Sequence, residues 1–245
     1  MNDLYESNKL LSEYLLFHYG AADEILPPDV QWPPGMSEAL GFPGRTVGHF
    51  SAQQMRRGLD LGCAVGRSTF EMSRHCDEVI GMDFSHAFIR AAERLRTGAL
   101  VHYERCEEAA RTTALVARLP DDVDASKVRF FQGDAMNLPA DLGAFERVHA
   151  ANLLCRLQDP QRLLARLPSL VMPGGELVLA TPCTWLDAFT PPQYWPVSTT
   201  FDWLCEALKA DFTLERRADE PFLIRETARK FQWSVSLITV WRRHG

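Results

Sequence analysis

The stretch LDLGCAVGRS, residues 59–68, ends an apolar run on Asp60 and breaks it with Gly62 and Gly66, ahead of Arg67 and Ser68. A strand, a tight turn and a helix start in this order bring backbone close to a ligand. Gly62 permits a positive φ, and Gly66 permits close contact where the helix begins. Free N–H groups at a helix N-terminus favour a carboxylate or a phosphate. Asp60 is placed either to accept a bond from a ligand amine or to brace the loop. Cys63, Arg67 and Ser68 belong to the same turn and are candidate ligand contacts with it.

Two ligands are compatible with such a turn. A dinucleotide turn, G-x-G-x-x-G, would place Gly62, Ala64 and Arg67 at its three glycine positions, and Arg67 is bulky where helix and strand must pack closely. The S-adenosylmethionine turn, acid-x-G-x-G-x-G, is matched by Asp60, Gly62 and Gly66, with the small Ala64 in the middle. Downstream residues favour the second. VIGMDFS puts Asp83 at the end of a strand, followed by Phe84 and Ser85, where a carboxylate can accept both ribose hydroxyls. FQGDAMNLP puts Asp134 and Ala135 after the next strand, where an acid and a backbone N–H can hold adenine. AANLLCRL puts Asn152 at the end of a fourth strand, beside the expected transfer site. Ligands in open α/β sheets bind at the carboxyl ends of strands. This order resembles class I S-adenosylmethionine-dependent methyltransferases.

The elements that must position these residues can be read from the pattern. From residue 57 strands and helices alternate: GLDLGC, a helix in GRSTFEMSRHC, strand 77–83, helix 85–96, strands 128–134 and 146–152, helix 160–171 and strand 176–181. Two late strands, 212–220 and 231–243, lack a good intervening helix and pair most easily as an antiparallel hairpin. The predicted fold is α/β: a Rossmann-like, seven-stranded, mostly parallel sheet with a C-terminal antiparallel hairpin, helices on both faces and an N-terminal helical cap. Residues 3–19 form that cap helix, with Asp3 as N-cap, Glu6 in a capping box and Gly20 as the stop; Leu4, Leu11, Leu15 and His18 share one stripe. PPDVQWPPG at 27–35 and GFPG at 41–44 read as an ordered loop or lid rather than helix. The expected division is therefore 1–50, helix and lid, and 51–245, the methyltransferase domain, with 98–127 as an insertion carrying a helix-leaning, charged piece.

Composition limits the partners. The net charge of −6 over 245 residues argues against nucleic acid, and no apolar run approaches the length of a membrane span. The start, MNDLYES, lacks a basic segment followed by an apolar core, and the six cysteines form no C-x-x-C pair. These features point to a cytoplasmic protein with reduced thiols. The seven histidines show no metal-ligand spacing, so no metal is expected.

A narrower resemblance runs through NDLYESNKLLSEYLLFHYG, LDLGCAVGRSTFEMSR, VIGMDFSHAFI, AANLLCRLQDP and PFLIRETARKFQWSVSLITVWRR, from residue 2 to about 243. Together these stretches resemble the methyltransferase domain of ovothiol biosynthesis. That family is usually fused behind an iron-dependent sulfoxide synthase and methylates the imidazole of 5-thiohistidine at the nitrogen nearer the side chain. This sequence departs from that pattern by standing alone, so its acceptor is expected from a separate synthase, with 5-thiohistidine or its selenium analogue as the acceptor that the resemblance implies. A small histidine-derived or thiol acceptor, or a non-catalytic cofactor-binding role beside a synthase, are the alternatives. Candidate catalytic and acceptor contacts outside the cofactor core are Tyr14, His18 and Tyr19 on the first helix and Asn152 for a ring nitrogen. Arg225, Arg229 and Lys230 are candidates for the substrate carboxylate, and Gln232 and Trp233 for orienting and stacking the ring.

Overall fold

The structure, a computed structural model, describes residues 5–245. Helix α1, Asn8–Tyr19, begins on a Ser7 N-cap whose hydroxyl accepts from the Leu10 N–H, and it stops at Gly20 as predicted. The predicted cap, Asp3, and Leu4 lie outside the described residues. Glu6 does not close a capping box on α1: its carboxylate takes the N–H groups of His86 and Ala87. A short helix α2, Ala22–Ile25, follows, and then α3, Phe42–Val47. The GFPG stretch therefore enters a helix, contrary to the loop reading. Pro43 sits in the first turn, where its missing N–H has no partner to lose.

The central units are β1 (Met55–Leu61), α4 (Arg67–Met72), β2 (Cys76–Asp83) and α5 (His86–Arg96). Next come β3 (Val101–Glu108) and β4 (Arg111–Ala117), which form a separate antiparallel pair. The charged piece expected to lean helical is this hairpin. Val101 and Tyr103 are buried on one side while His102 and Glu104 face out, a period of two that a helix cannot present. The chain continues with β5 (Val128–Gln132), β6 (Phe145–Ala151), α6 (Pro160–Leu170) and β7 (Val171–Thr181). Then come α7 (Thr200–Leu208), which the sequence pattern did not disclose, β8 (Phe212–Arg225) and β9 (Phe231–Arg243).

Seven strands form one sheet in the order β5-β2-β1-β6-β7-β9-β8. The first five are parallel, and β9 pairs antiparallel with both β7 and β8, so the late hairpin forms as predicted. β8 runs five residues further than expected, through Arg225, which moves that residue from a loop into the sheet. The chain leaves β1 in one direction for β2 and β5 and returns to β6 on its other side. This reversal opens a crevice between β1 and β6 at their carboxyl ends.

Both faces of the sheet are covered. Leu59, Leu61, Val148, Leu177 and Leu179 pack against Leu163 and Leu167 of α6 and Leu204 of α7. Leu15 and Leu16 of α1, Phe70 of α4 and Phe88 and Leu95 of α5 pack on the opposite side with Val79 and Phe130. Each such fully buried side chain contributes about 1.5–3 kcal/mol. Among the described residues no helix is long and apolar enough to cross a membrane.

Gly66 fixes where α4 starts. Its φ is +90°, and a Cβ there would lie 2.6 Å from Cζ of Phe130. The position therefore needs glycine for packing as well as for its left-handed backbone. Gly66→Ala is expected to cost about 2–4 kcal/mol, combining the left-handed penalty with overpacking. Urea denaturation of the variant checks this, and an unchanged midpoint would show that the turn relaxes freely.

Candidate active site

Asp60 sits one residue before the end of β1 with its side chain buried on the α4 side of the sheet. Its Oδ2 accepts from the hydroxyls of Ser68 (2.6 Å) and Thr69 (2.7 Å), and its Oδ1 accepts from Nδ1–H of His149 on β6 (2.7 Å). The second nitrogen of His149, Nε2, lies 3.1 Å from the Thr46 hydroxyl on α3. Of the two roles open to Asp60, bracing is the one the structure displays. The N–H groups of Gly62 and Cys63 donate to the Met82 carbonyl, that of Ala64 to Asp83 and that of Gly66 to Cys63. The first half of the turn is thus fastened to the protein rather than left as free donors. Gly62, Ala64 and Gly66 all have positive φ, and Ala64 holds +48° without being glycine.

A cavity of about 380 Å³ opens over the carboxyl ends of β1, β2, β5 and β6. Gly62, Ala64 and Ser68 of the turn line it, as do Asp83, Phe84, Ser85, Asp134, Ala135 and Asn152. The Asp83 carboxylate takes the N–H of Ser85 on one oxygen and of Ala64 on the other, both at 2.9 Å. Burial pushes its pKa up to about 6; the two N–H groups oppose that rise, and Asp60 adds to it. Asp134 folds its Oδ1 back onto the Met136 N–H at 2.9 Å. Asn152 holds a left-handed φ of +54°, which asparagine tolerates. Its Oδ1 accepts from the buried Ser236 hydroxyl at 2.7 Å, which turns the amide N–H₂ toward the cavity.

The roof comes from the N-terminal segment. Tyr5, Tyr14, Phe17 and His18 line the cavity with Phe42 and Pro43 of α3. Tyr14 packs on Phe88 with 4.8 Å between ring centroids, and Phe17 stacks on Phe42 at 6.1 Å. Burial raises the Tyr14 phenol and lowers His18 to about 3. His18 is 9% exposed, and its Nδ1 has no partner among the described residues. A neutral imidazole with an open nitrogen can hydrogen-bond a guest.

Several expected contacts lie elsewhere. Cys63 is fully buried behind the turn, where burial pushes its thiol well up. Tyr19 donates its hydroxyl to the Val65 carbonyl (2.7 Å), and Arg67 pairs with Glu71 (2.8 Å) beneath the Tyr19 ring; both brace the turn and leave the cavity wall. Arg225 is 3% exposed, with Nη1 on the carbonyls of Glu24 and Ile25 and Nη2 on Glu107 at 2.7 Å. It ties α2 to the β3–β4 hairpin and cannot hold a substrate carboxylate in the cavity. Lys230 pairs with Glu226 at the surface, and Arg229 is exposed. Gln232 and Trp233 also face outward, the tryptophan 50% exposed rather than in the strand core. The reading from sequence passed over His149, Ser236 and Arg156. Arg156 carried a usable signal: it follows Asn152 by four residues, beyond a strand end already marked as functional.

Residues 59–179 match the family described as "Methyltransferase domain". An O-methyltransferase of Penicillium expansum is 28% identical over 138 residues, a match covering 56% of this chain and 42% of that protein. The chain thus spans less than half the length of that curated relative. The crystal structure of N-methyltransferase NodS from Bradyrhizobium japonicum, in complex with S-adenosyl-L-homocysteine, aligns with a TM-score of 0.55 at 15% identity. That alignment covers 95% of this chain and 98% of NodS. The [4+2]-cyclase SpnF aligns with a TM-score of 0.61 at 15% identity, over 100% of this chain and 96% of its own. Residues 59–179, just under half of the chain, are thus similar to a methyltransferase domain, and they lie within a Rossmann-like sheet.

Two outcomes follow from the site. Were Asp83 to accept ribose hydroxyls, its ionised form would be favoured, and binding of an adenosyl ligand should release a proton and strengthen as pH rises through about 6. Calorimetry with S-adenosylhomocysteine should give roughly tenfold weaker binding near pH 5 than near pH 7.5. Asp83→Ala should flatten that profile and weaken binding by about tenfold or more at the higher pH; a flat native profile removes the role. Ser236→Ala leaves the Asn152 oxygen unpaired and should cost about 1 kcal/mol of stability. Cofactor affinity should stay within twofold; a matching loss would mean that Asn152 faces the cofactor alone.

Proposed function

We propose that the protein is an S-adenosylmethionine-dependent N-methyltransferase whose acceptor is 5-thiohistidine or its selenium analogue, methylated on the imidazole nitrogen nearer the side chain. The observation that carries the reading is one continuous cavity. Asp83, Asp134 and the turn after β1 line its end over β1, β2 and β5, the Asn152 amide lines its end over β6, and neutral His18 and the aromatic roof cover it, Tyr14 within electrostatic reach of both Asp83 and Arg156. The first end suits an adenosyl amino acid: carboxylates with spare lone pairs face the space, and Gly62 and Ala64 keep their part of the wall thin. When bound, S-adenosylmethionine supplies an electrophilic methyl group on a sulfonium centre. Asp83 would hold its ribose, and Asp134 with Ala135 its adenine.

The second end suits a flat heteroaromatic guest. Tyr14 and Phe17 offer ring faces, while Asn152 offers an amide donor whose orientation Ser236 fixes. A ring nitrogen carrying its own lone pair needs no protein base. The harder demand is regiochemical. The chalcogen is the softer nucleophile, so the walls must hold the ring with nitrogen toward the methyl group. Fixed alignment also supplies rate, up to about 7–11 kcal/mol in favourable cases. The choice of a thiohistidine acceptor draws on the stretches AANLLCRLQDP and NDLYESNKLLSEYLLFHYG, which resemble the ovothiol family. A sulfoxide synthase would then supply the acceptor, and the reaction would be a cytoplasmic one.

Purified protein incubated with S-adenosylmethionine and 5-thiohistidine should give a product with one added methyl group. NMR should place that group on the ring nitrogen nearer the side chain. Methylation of sulfur, or no product beside turnover of another acceptor, would overturn the assignment.

A further inference from the structure

We propose that Arg156 is the acceptor's carboxylate anchor, so that the second end of the cavity is built for an acid rather than for a neutral heterocycle or an amine. The inference rests on the reading of the cavity given above and deepens it by assigning the charge the acceptor must carry.

Three other arginines, off the cavity wall, each pair with a carboxylate. Arg67 meets Glu71 at 2.8 Å, Arg147 meets Glu176 at 3.0 Å and Arg225 meets Glu107 at 2.7 Å. Arg156 is different. Its Nη1 donates to the carbonyls of Cys155 and Thr184, both at 3.0 Å, and lies 3.1 Å from the Cys155 sulfur. Its Nη2 donates to the Thr184 hydroxyl at 3.3 Å. The guanidinium also stacks over Phe189, 4.9 Å from the ring centroid. These contacts hold the end of the fork and one face. They are neutral, and no carboxylate among the described residues pairs with it.

None of these contacts takes the Nε–H or the second Nη2 hydrogen, the edge whose geometry grips a carboxylate by two parallel bonds; the Tyr5 phenol also hydrogen-bonds the guanidinium. Arg156 is half-buried and, among the described residues, is the one arginine or lysine on the cavity wall. The Tyr5 phenol, on the same wall, sits against it. A phenol there can accept from arginine and donate onward, adding a third donor to the array. A partly buried cation without a counter-ion is costly, and an anionic guest removes that cost. Position favours the acceptor as its source. Arg156 follows β6 and is tied to Thr184 beyond β7, whereas the turn, Asp83 and Asp134 follow β1, β2 and β5.

The test compares 5-thiohistidine with its decarboxylated counterpart, 5-thiohistamine, in the native protein, Arg156→Met and Arg156→Lys. The native protein should prefer the acid by about 10²-fold in kcat/KM, as loss of a partner from a desolvated charge pair implies. Arg156→Met should bring the two acceptors within about threefold, chiefly through KM for the acid. Affinity for S-adenosylhomocysteine should stay within about twofold of native, which also reports an intact fold. Should the methionine variant not fold, Arg156→Lys, which keeps the charge but loses the fork, should still reduce the preference about fivefold or more. A preference unchanged in the variants overturns the assignment alone. A parallel loss of S-adenosylhomocysteine affinity overturns it by giving the anion to the cofactor. Absence of methyl transfer to either compound by the native protein overturns the acceptor reading, and the anchor with it.

Discussion

The Asp60 carboxylate is buried where four parts of the chain meet. It receives hydroxyls from the first turn of α4 and an imidazole N–H from β6, and through that imidazole it reaches Thr46 on α3. A buried carboxylate must be saturated with donors or it destabilises the fold. Meeting that requirement fixes the turn after β1, the spacing of β1 and β6 at the point where strand order reverses, and the seat of one roof helix. The cavity is the space left when these constraints are satisfied together. Asp60 thus shapes the site without lining it.

The roof is held by equally specific means. Glu6 caps the N-terminus of α5, where an acid is favoured by the free N–H groups and the helix dipole. Ser85, the N-cap of that helix, donates its hydroxyl to the Tyr5 carbonyl. Tyr5 and Glu6 are therefore fastened beside Asp83, and α1 follows with Tyr14 against Phe88 and Phe17 against Phe42 and Phe222. Aromatic packing of this kind excludes water, which strengthens the few polar groups that remain. His18, neutral and with an open nitrogen, is one of them.

The same sheet serves different chemistries. The structures that align over nearly the whole chain include an N-methyltransferase and a [4+2]-cyclase, at about equal identity. The likeness is one of fold. What is done in the cavity depends on the residues that the fold does not dictate: α1, α3 and the segment after β6.

Much of the frame was legible in the sequence because its causes are local. Apolar runs ending in Asp60, Asp83 and Asn152 mark strand ends, and Gly62 and Gly66 mark a left-handed turn, since their φ values require little or no side chain. The late antiparallel hairpin followed from two alternating runs without a crossover helix. Long-range partners were not legible. Arg225 and Arg156 look alike in sequence, yet Arg225 meets Glu107 across 118 positions while Arg156 meets Thr184 and no carboxylate. The hairpin β3–β4 hid behind charged residues whose burial alternates only once it packs. Local spacing determined the strands, the turn and the acids facing the cavity; which charges were spent on the protein itself, and which were left for a guest, was decided only when distant segments came together.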